Sequence, residues 1–377
     1  MVLMLLDHCR DFFHFSSITL EMNPLNPEQS STPIYLTRWI THLCAPTFVA
    51  LAGISIFLQK EKAKSNPEFS LPVFLFTRGL WLIFLELTIV NFSWHFYPPI
   101  LSGFIQVIGA IGICMVCMSA LIQIPWSWAF AIGIAFTLTH NLFDTFKPEP
   151  IGFTGKLWAI LHGGGPIKFG QYLLYIAYPF VPWLGIMLLG YGAGPLFSAG
   201  SNSEKRQKTL VAFSIIFLFL FAILRSVNSV GDPKPWKSEL WSHSFWFQFF
   251  DVQKYPPSLL YSLITLGIGC FLLLVMEKIR IPFRRLFLVF GRVPFFYYII
   301  HLYFIHSVAI LAFIMQGGKW QDLKFGESFG GLPPGSGFSL AGVYFFWLLS
   351  ILILFPVCSW YEKYKSANKH NKWLSYI

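Results

Sequence analysis

The chain has 377 residues, 55% of them hydrophobic and only 12% charged, with a mean hydropathy of +0.60 and a formal net charge of +10. A soluble globule carries roughly twice that charged fraction, so composition excludes a soluble fold and implies a polytopic membrane protein. The Lys and Arg sit in short loops between apolar runs, where they act as topology signals. No basic stripe with interleaved aromatics is present, which argues against a nucleic-acid partner.

Apolar stretches near the ~20 residues that a bilayer core demands give about ten spans: residues 1–15, 33–58, 71–92, 99–122, 126–146, 171–195, 209–227, 256–276, 291–316 and 339–360. The fold class expected is therefore an all-α polytopic membrane protein with a single transmembrane domain over residues 1–377. The first span is short. Its length at ~1.5 Å per residue covers about 22 Å, against roughly 30 Å of hydrocarbon, so a first helix truncated at its start is expected.

Lys60, Lys62 and Lys64, then Lys205, Arg206 and Lys208, then Arg284 and Arg285, and finally Lys363 and Lys365 all fall on one side if the spans alternate. That side is cytoplasmic by the positive-inside rule, and both termini lie there. Segments 147–170, 227–255 and 316–338 then lie outside, their Trp and Tyr either capping the membrane surface or binding a ligand. Cys9, Cys44, Cys114, Cys117, Cys270 and Cys358 all fall in apolar runs, where Cys behaves as a small hydrophobe. Cys114-x-x-Cys117 lacks a second ligand pair, so no metal is expected.

Charges in so apolar a chain mark function unless they are paired or wetted. The first span carries Asp7, His8, Arg10, Asp11 and His14. Arg10 and Asp11 stand at i+3 and i+4 from Asp7, within pairing reach on a helix. Span two brings Arg38 and His42, span three Glu86 and Asn91, span five His140, Asn141 and Asp144, and span nine His301 and His306. All of these fall in the middle or outer half of the bilayer, where they must face one another or a wet cavity.

Histidines with carboxylate neighbours suit acyl transfer, because a neutral imidazole takes a proton from an attacking amine or hydroxyl, or carries the acyl group itself. His8 beside Asp7 and Asp11 leads, with His42 second and His14 third. Arg38, Glu86, His140, Asp144, His301 and His306 are then substrate-binding candidates. Arg292 at the inner mouth of span nine, with Arg78 in span three, is either a topology anchor or an anion site for a phosphorylated donor such as coenzyme A. The rival reading is a proton-coupled transporter or flippase of a small polar or envelope substrate, using the same histidines as a relay. An inactive scaffold is the third.

Several stretches carry a resemblance. Leu6-Asp7-His8-Cys9-Arg10-Asp11-Phe12-Phe13, Arg38-Trp39-Ile40-Thr41-His42-Leu43-Cys44-Ala45-Pro46-Thr47-Phe48, Tyr178-Pro179 through Pro182-Trp183-Leu184-Gly185, Lys254-Tyr255-Pro256-Pro257-Ser258 and Phe290-Gly291-Arg292-Val293-Pro294 resemble a bacterial membrane family. That family shares the catalytic domain of heparan-alpha-glucosaminide N-acetyltransferase. The resemblance implies a multi-pass protein of the bacterial inner membrane that takes acetyl-CoA from the cytoplasm and acetylates an amino or hydroxyl group of an extracytoplasmic sugar or glycan. It also implies an active-site histidine. The family pattern usually opens with an Asp-x-x-Arg-Gly-type motif ahead of the Leu-Asp-His stretch, and this chain begins after that point. Membrane lipid and a sugar or glycan acceptor are the partners expected, with homodimerisation open.

Overall fold

The computed structural model describes residues 1–19, 25, 30–66, 68–100, 102–149, 152–237, 239, 242–278 and 284–376. It is an all-α integral membrane protein. Among the described residues seven helices are long and apolar enough to cross a membrane: Thr32–Ala63, Leu71–His95, Phe180–Phe197, Ser203–Val227, Leu259–Lys278, Pro294–Met315 and Leu340–Ala367. The other three expected spans are also helical but shorter, at Val2–Phe13, Val107–Leu121 and Trp126–Thr139. Local chemistry sets the ends. Pro33, Pro72 and Pro294 open their helices, where a missing N–H costs nothing. Asn202 accepts from the Glu204 and Lys205 amides, and Asn228 closes the same helix at φ 58, the left-handed stop that Asn tolerates.

The chain divides into two compact units, Met1–Cys44 with Thr88–Pro99 and Arg280–Ile377, and Ala45–Leu87 with Ile100–Ile279. In the first unit, Val2–Phe13 packs against Pro294–Met315 and Leu340–Ala367. Phe13 stacks on Phe346 with ring centroids 4.1 Å apart, and the Trp347 indole donates to the Val2 carbonyl at 2.9 Å. The helix stops at His14, whose extended backbone exchanges hydrogen bonds with the 316–338 segment. The Phe338 amide donates to the Phe13 carbonyl, and the Phe15 amide to the Phe338 carbonyl.

The second unit holds a small sheet, where the sequence suggests only helix. Strand β1 (Ser102–Ile105) runs parallel to β3 (Tyr172–Ile176), and β2 (Gly165–Phe169) pairs antiparallel with β3. Spans four and six therefore begin later than hydropathy places them. Tyr172-Leu-Leu-Tyr-Ile176 is apolar enough to read as the top of a span, but its burial alternates along the strand, the period-2 signature. Pro179 then starts the helix Phe180–Ala193. That helix and Cys44–Ala63 approach backbone to backbone, since a Cβ at Gly53 would collide with the Met187 carbonyl and one at Gly190 with the Ala50 carbonyl. Small residues at such crossings are what lets membrane helices pack closely.

Candidate functional site

Helix Val2–Phe13 buries Leu5, Cys9 and Phe12 on one stripe, the 3.6-residue period of an amphipathic helix, and turns Asp7, His8 and Asp11 to an incompletely buried edge. His8 Nδ1 lies 2.6 Å from His301 Nε2, and the two rings stack 4.9 Å apart at 9°. Trp94 meets the His8 ring edge-on at 5.0 Å, and Tyr298 approaches it edge-on at 6.3 Å. The result is an aromatic-walled imidazole pair held by three separate helices.

Hydrogen-bond chemistry assigns the protons in that pair. The other ring nitrogen of His301, Nδ1, lies 2.9 Å from the Tyr297 carbonyl. A carbonyl only accepts, so His301 Nδ1 carries the hydrogen and Nε2 of the neutral ring carries the lone pair. His8 Nδ1 must then donate to it, which leaves the lone pair of neutral His8 on Nε2. The backbone of one helix thus dictates, through a relay of two rings, which nitrogen of His8 is basic.

One turn away stands an ion cluster. Asp7 accepts from Arg38 Nη1 at 2.9 and 3.0 Å, from Thr41 Oγ1 at 2.9 Å and from Arg10 Nη2 at 3.2 Å. Arg10 Nη2 also reaches Asp11 at 2.6 Å. All four charged side chains are at least three-quarters buried. Sequence reasoning has Asp7 and Asp11 orienting His8. The geometry gives both carboxylates to guanidinium groups and gives His8 Nδ1 to His301.

Three further histidines of this unit are buried. His306 places Nδ1 2.8 Å from the Ser93 carbonyl and Nε2 2.8 Å from the Gly330 carbonyl, so both ring nitrogens face backbone oxygen, with Phe96 stacked on the ring at 3.8 Å. That is the geometry of a clamp joining a helix end to the 316–338 segment. His14 Nδ1 is 2.6 Å from Ser16 Oγ. His42 sits buried in the short 3-10 turn Thr41–Leu43. Arg292 is 64% exposed and bonds Glu362 at 2.6 Å.

The remaining candidates belong to the second unit. Glu86 is fully buried and accepts the Gln106 and Gly109 amides at 3.0 and 3.1 Å, one on each carboxylate oxygen. It caps the helix Val107–Leu121, where a carboxylate satisfies orphan N–H groups and faces the positive end of the dipole. Arg78 lies with its guanidinium 5.9 Å from the Phe74 ring centre. His140 and Asp144 sit together with His162, a residue of the 147–170 segment: His162 Nε2 is 2.8 Å from Asp144 Oδ1.

Sequence reasoning missed the His8–His301 contact and the roles of Trp94, Tyr297 and His162. The signal for the first lay in helical spacing, since Tyr297 and His301 stand at i and i+4. It also missed Arg225, buried at the end of Ser203–Val227 and bonded to the carbonyls of Phe249, Lys234, Gln248 and Asp251. Four backbone acceptors in a loop cannot be read from periodicity.

The family profile described as "Heparan-alpha-glucosaminide N-acetyltransferase, catalytic" matches residues 11–226, more than half of the chain. The matched segment contains Asp11, Arg38, His42, Glu86, His140 and Asp144, while His8 and His301 flank it. No curated protein matches the chain.

Proposed function

Since the chain belongs to the heparan-alpha-glucosaminide N-acetyltransferase catalytic-domain family, a family of transmembrane acetyltransferases, we propose that it transfers an acetyl group from acetyl-CoA, with His8 as the catalytic base. The acceptor would be an amino or hydroxyl group of an extracytoplasmic sugar or glycan, and the membrane a bacterial inner membrane. The observation that carries the reading is the relay from the Tyr297 carbonyl through His301 to His8 Nδ1. It leaves His8 Nε2 as the basic atom on a half-buried ring walled by Trp94 and Tyr298.

In this reading His8 Nε2 takes the proton of the attacking amine or hydroxyl as that group bonds to the thioester carbonyl carbon. The carbon–sulfur bond then breaks, and the thiolate recovers the proton from the imidazolium. His301 supports the charged intermediate, because its lone pair accepts the His8 Nδ1 proton more strongly once His8 is a cation. Positioned acid–base groups of this kind contribute about 10²- to 10⁴-fold. Arg10 and Arg38 supply positive charge near the acceptor side, and Asp7 holds their guanidinium groups in place. Arg292, paired with Glu362 on an exposed face, would meet the donor phosphates only by exchanging that partner.

The test is acetyl-CoA turnover by purified full-length protein, followed as released thiol. His8→Ala should remove turnover, and His301→Ala should lower kcat about 10²-fold with KM for acetyl-CoA little changed. Turnover that survives His8→Ala undiminished would take His8 out of the mechanism. Gradient-driven uptake without acetyl-CoA dependence would favour the transporter reading.

A further inference from the structure

The second unit carries a cluster that the acetyl-transfer reading does not use. His140, Asp144 and His162 each offer one ligand atom, and these atoms all lie within 4.8 Å of one another. We propose that these three residues bind a divalent transition-metal ion, of which Zn²⁺ best matches a donor set of two imidazole nitrogens and one carboxylate oxygen.

Zinc takes His nitrogen and Asp oxygen at about 2.0–2.2 Å, with donors then roughly 3.4 Å apart in a tetrahedron. Small side-chain rotations bring the three atoms to that spacing. The rings of His140 and His162 stand 5.6 Å apart at 57°, tilted rather than stacked. A hydrogen-bonded His162–Asp144 pair alone would leave one feature unexplained. His140 is 3% exposed, and its Nδ1 is buried with no hydrogen-bond partner among the described residues, a state that proteins rarely leave unsatisfied.

The surroundings are arranged as a metal site requires. The Leu259 amide donates to Asn141 Oδ1 at 2.8 Å, which fixes that amide so that its Nδ2 donates to Asp144 Oδ2 at 2.7 Å. Outer-shell bonds of this type orient ligating carboxylates. His162 sits on a π-helical turn, Ala159–Gly163, a local widening that recurs at functional sites. Trp158 packs over its ring at 4.8 Å. Asp144 keeps 21% of its side chain accessible, which gives an ion a way in. Three protein donors leave a fourth position for water, the pattern of zinc sites that do chemistry rather than only bind.

The experiment uses full-length protein in detergent, stripped with chelator, re-equilibrated with ZnCl₂ and desalted. About one zinc per chain is expected by elemental analysis, the stoichiometry of a single three-residue donor set. His140→Ala and His162→Ala should each fall to background while eluting as the same species on size exclusion. Asn141→Ala, which changes only the outer shell, should weaken zinc binding about 10-fold. Zinc retained by the His140→Ala and His162→Ala variants as fully as by the wild type, or no zinc above background on the wild type, would overturn the site. Co²⁺ loading of the unmodified protein decides the matter should the variants aggregate. Visible ligand-field bands without a thiolate charge-transfer band support the His–Asp–His set; a thiolate band assigns the metal to cysteines and overturns it.

Discussion

Asp7 shows how one residue can hold a buried ion cluster together. It accepts from two guanidinium groups and a hydroxyl at 13% side-chain exposure, so its removal takes the carboxylate from Arg38 in a low-dielectric setting and leaves Arg10 with Asp11. Breaking a buried pair from one side costs on the order of 3 kcal/mol. Asp7→Asn is therefore expected to lower the midpoint of thermal unfolding in detergent, and Arg38→Gln in the same chain should restore part of the loss. Restoration would fail if Asp7 acted only on the reaction. Asp251, in the 227–255 segment, makes the opposite case. Burial pushes its carboxyl above the usual carboxylate range, with Lys234 pulling back. The folded state then holds that proton more tightly than the unfolded chain, so stability falls as pH rises from the unfolded carboxylate value through the folded one. Asp251→Asn should raise the unfolding midpoint at about pH 8, and the gain should shrink towards about pH 4.

At the scale of elements, the chain relies on caps and close crossings rather than on amphipathic faces. Glu86 on the Gln106 and Gly109 amides does the work of an N-cap from another helix, and Glu86→Ala should cost about 1–2 kcal/mol or more, the range of a lost cap. Glu86→Gln keeps one acceptor oxygen and should cost less. Thermal unfolding of the two variants separates capping from any substrate contact, which would instead appear in KM. The Gly53–Gly190 crossing leaves no room for a side chain. Gly53→Leu should abolish accumulation of folded protein, read by size exclusion of a detergent extract.

For the whole molecule, the arrangement of basic loops predicts an orientation that labelling can check. On a background with its cysteines replaced, Lys62→Cys, Lys205→Cys and Lys363→Cys should react with an impermeant maleimide only after the membrane is opened. Gln171→Cys, in the β2–β3 turn, should react in intact cells. The reverse pattern would invert the topology and put the histidine-bearing helix ends on the cytoplasmic side.

Sequence by itself determined the class of this protein. Twenty-residue apolar runs and sparse charge leave no alternative to membrane helices, because backbone groups in lipid must be satisfied within the segment. It also located most of the polar residues that the structure buries, since an ionisable group in an apolar run is conspicuous. Tertiary structure alone decided which of them meet. His8 and His301 stand 293 positions apart, and no periodicity links them. Asp7, expected to orient His8, is taken by Arg38 and Thr41, because a guanidinium fork satisfies a buried carboxylate more completely than an imidazole edge. Glu86 turned to a helix end, and His140 and Asp144 to His162, a residue in a loop that hydropathy leaves unremarked. The physical reason is common to all of these. Burial is a property of segments and can be read along the chain, whereas hydrogen bonding is a property of pairs and exists only once the helices have packed.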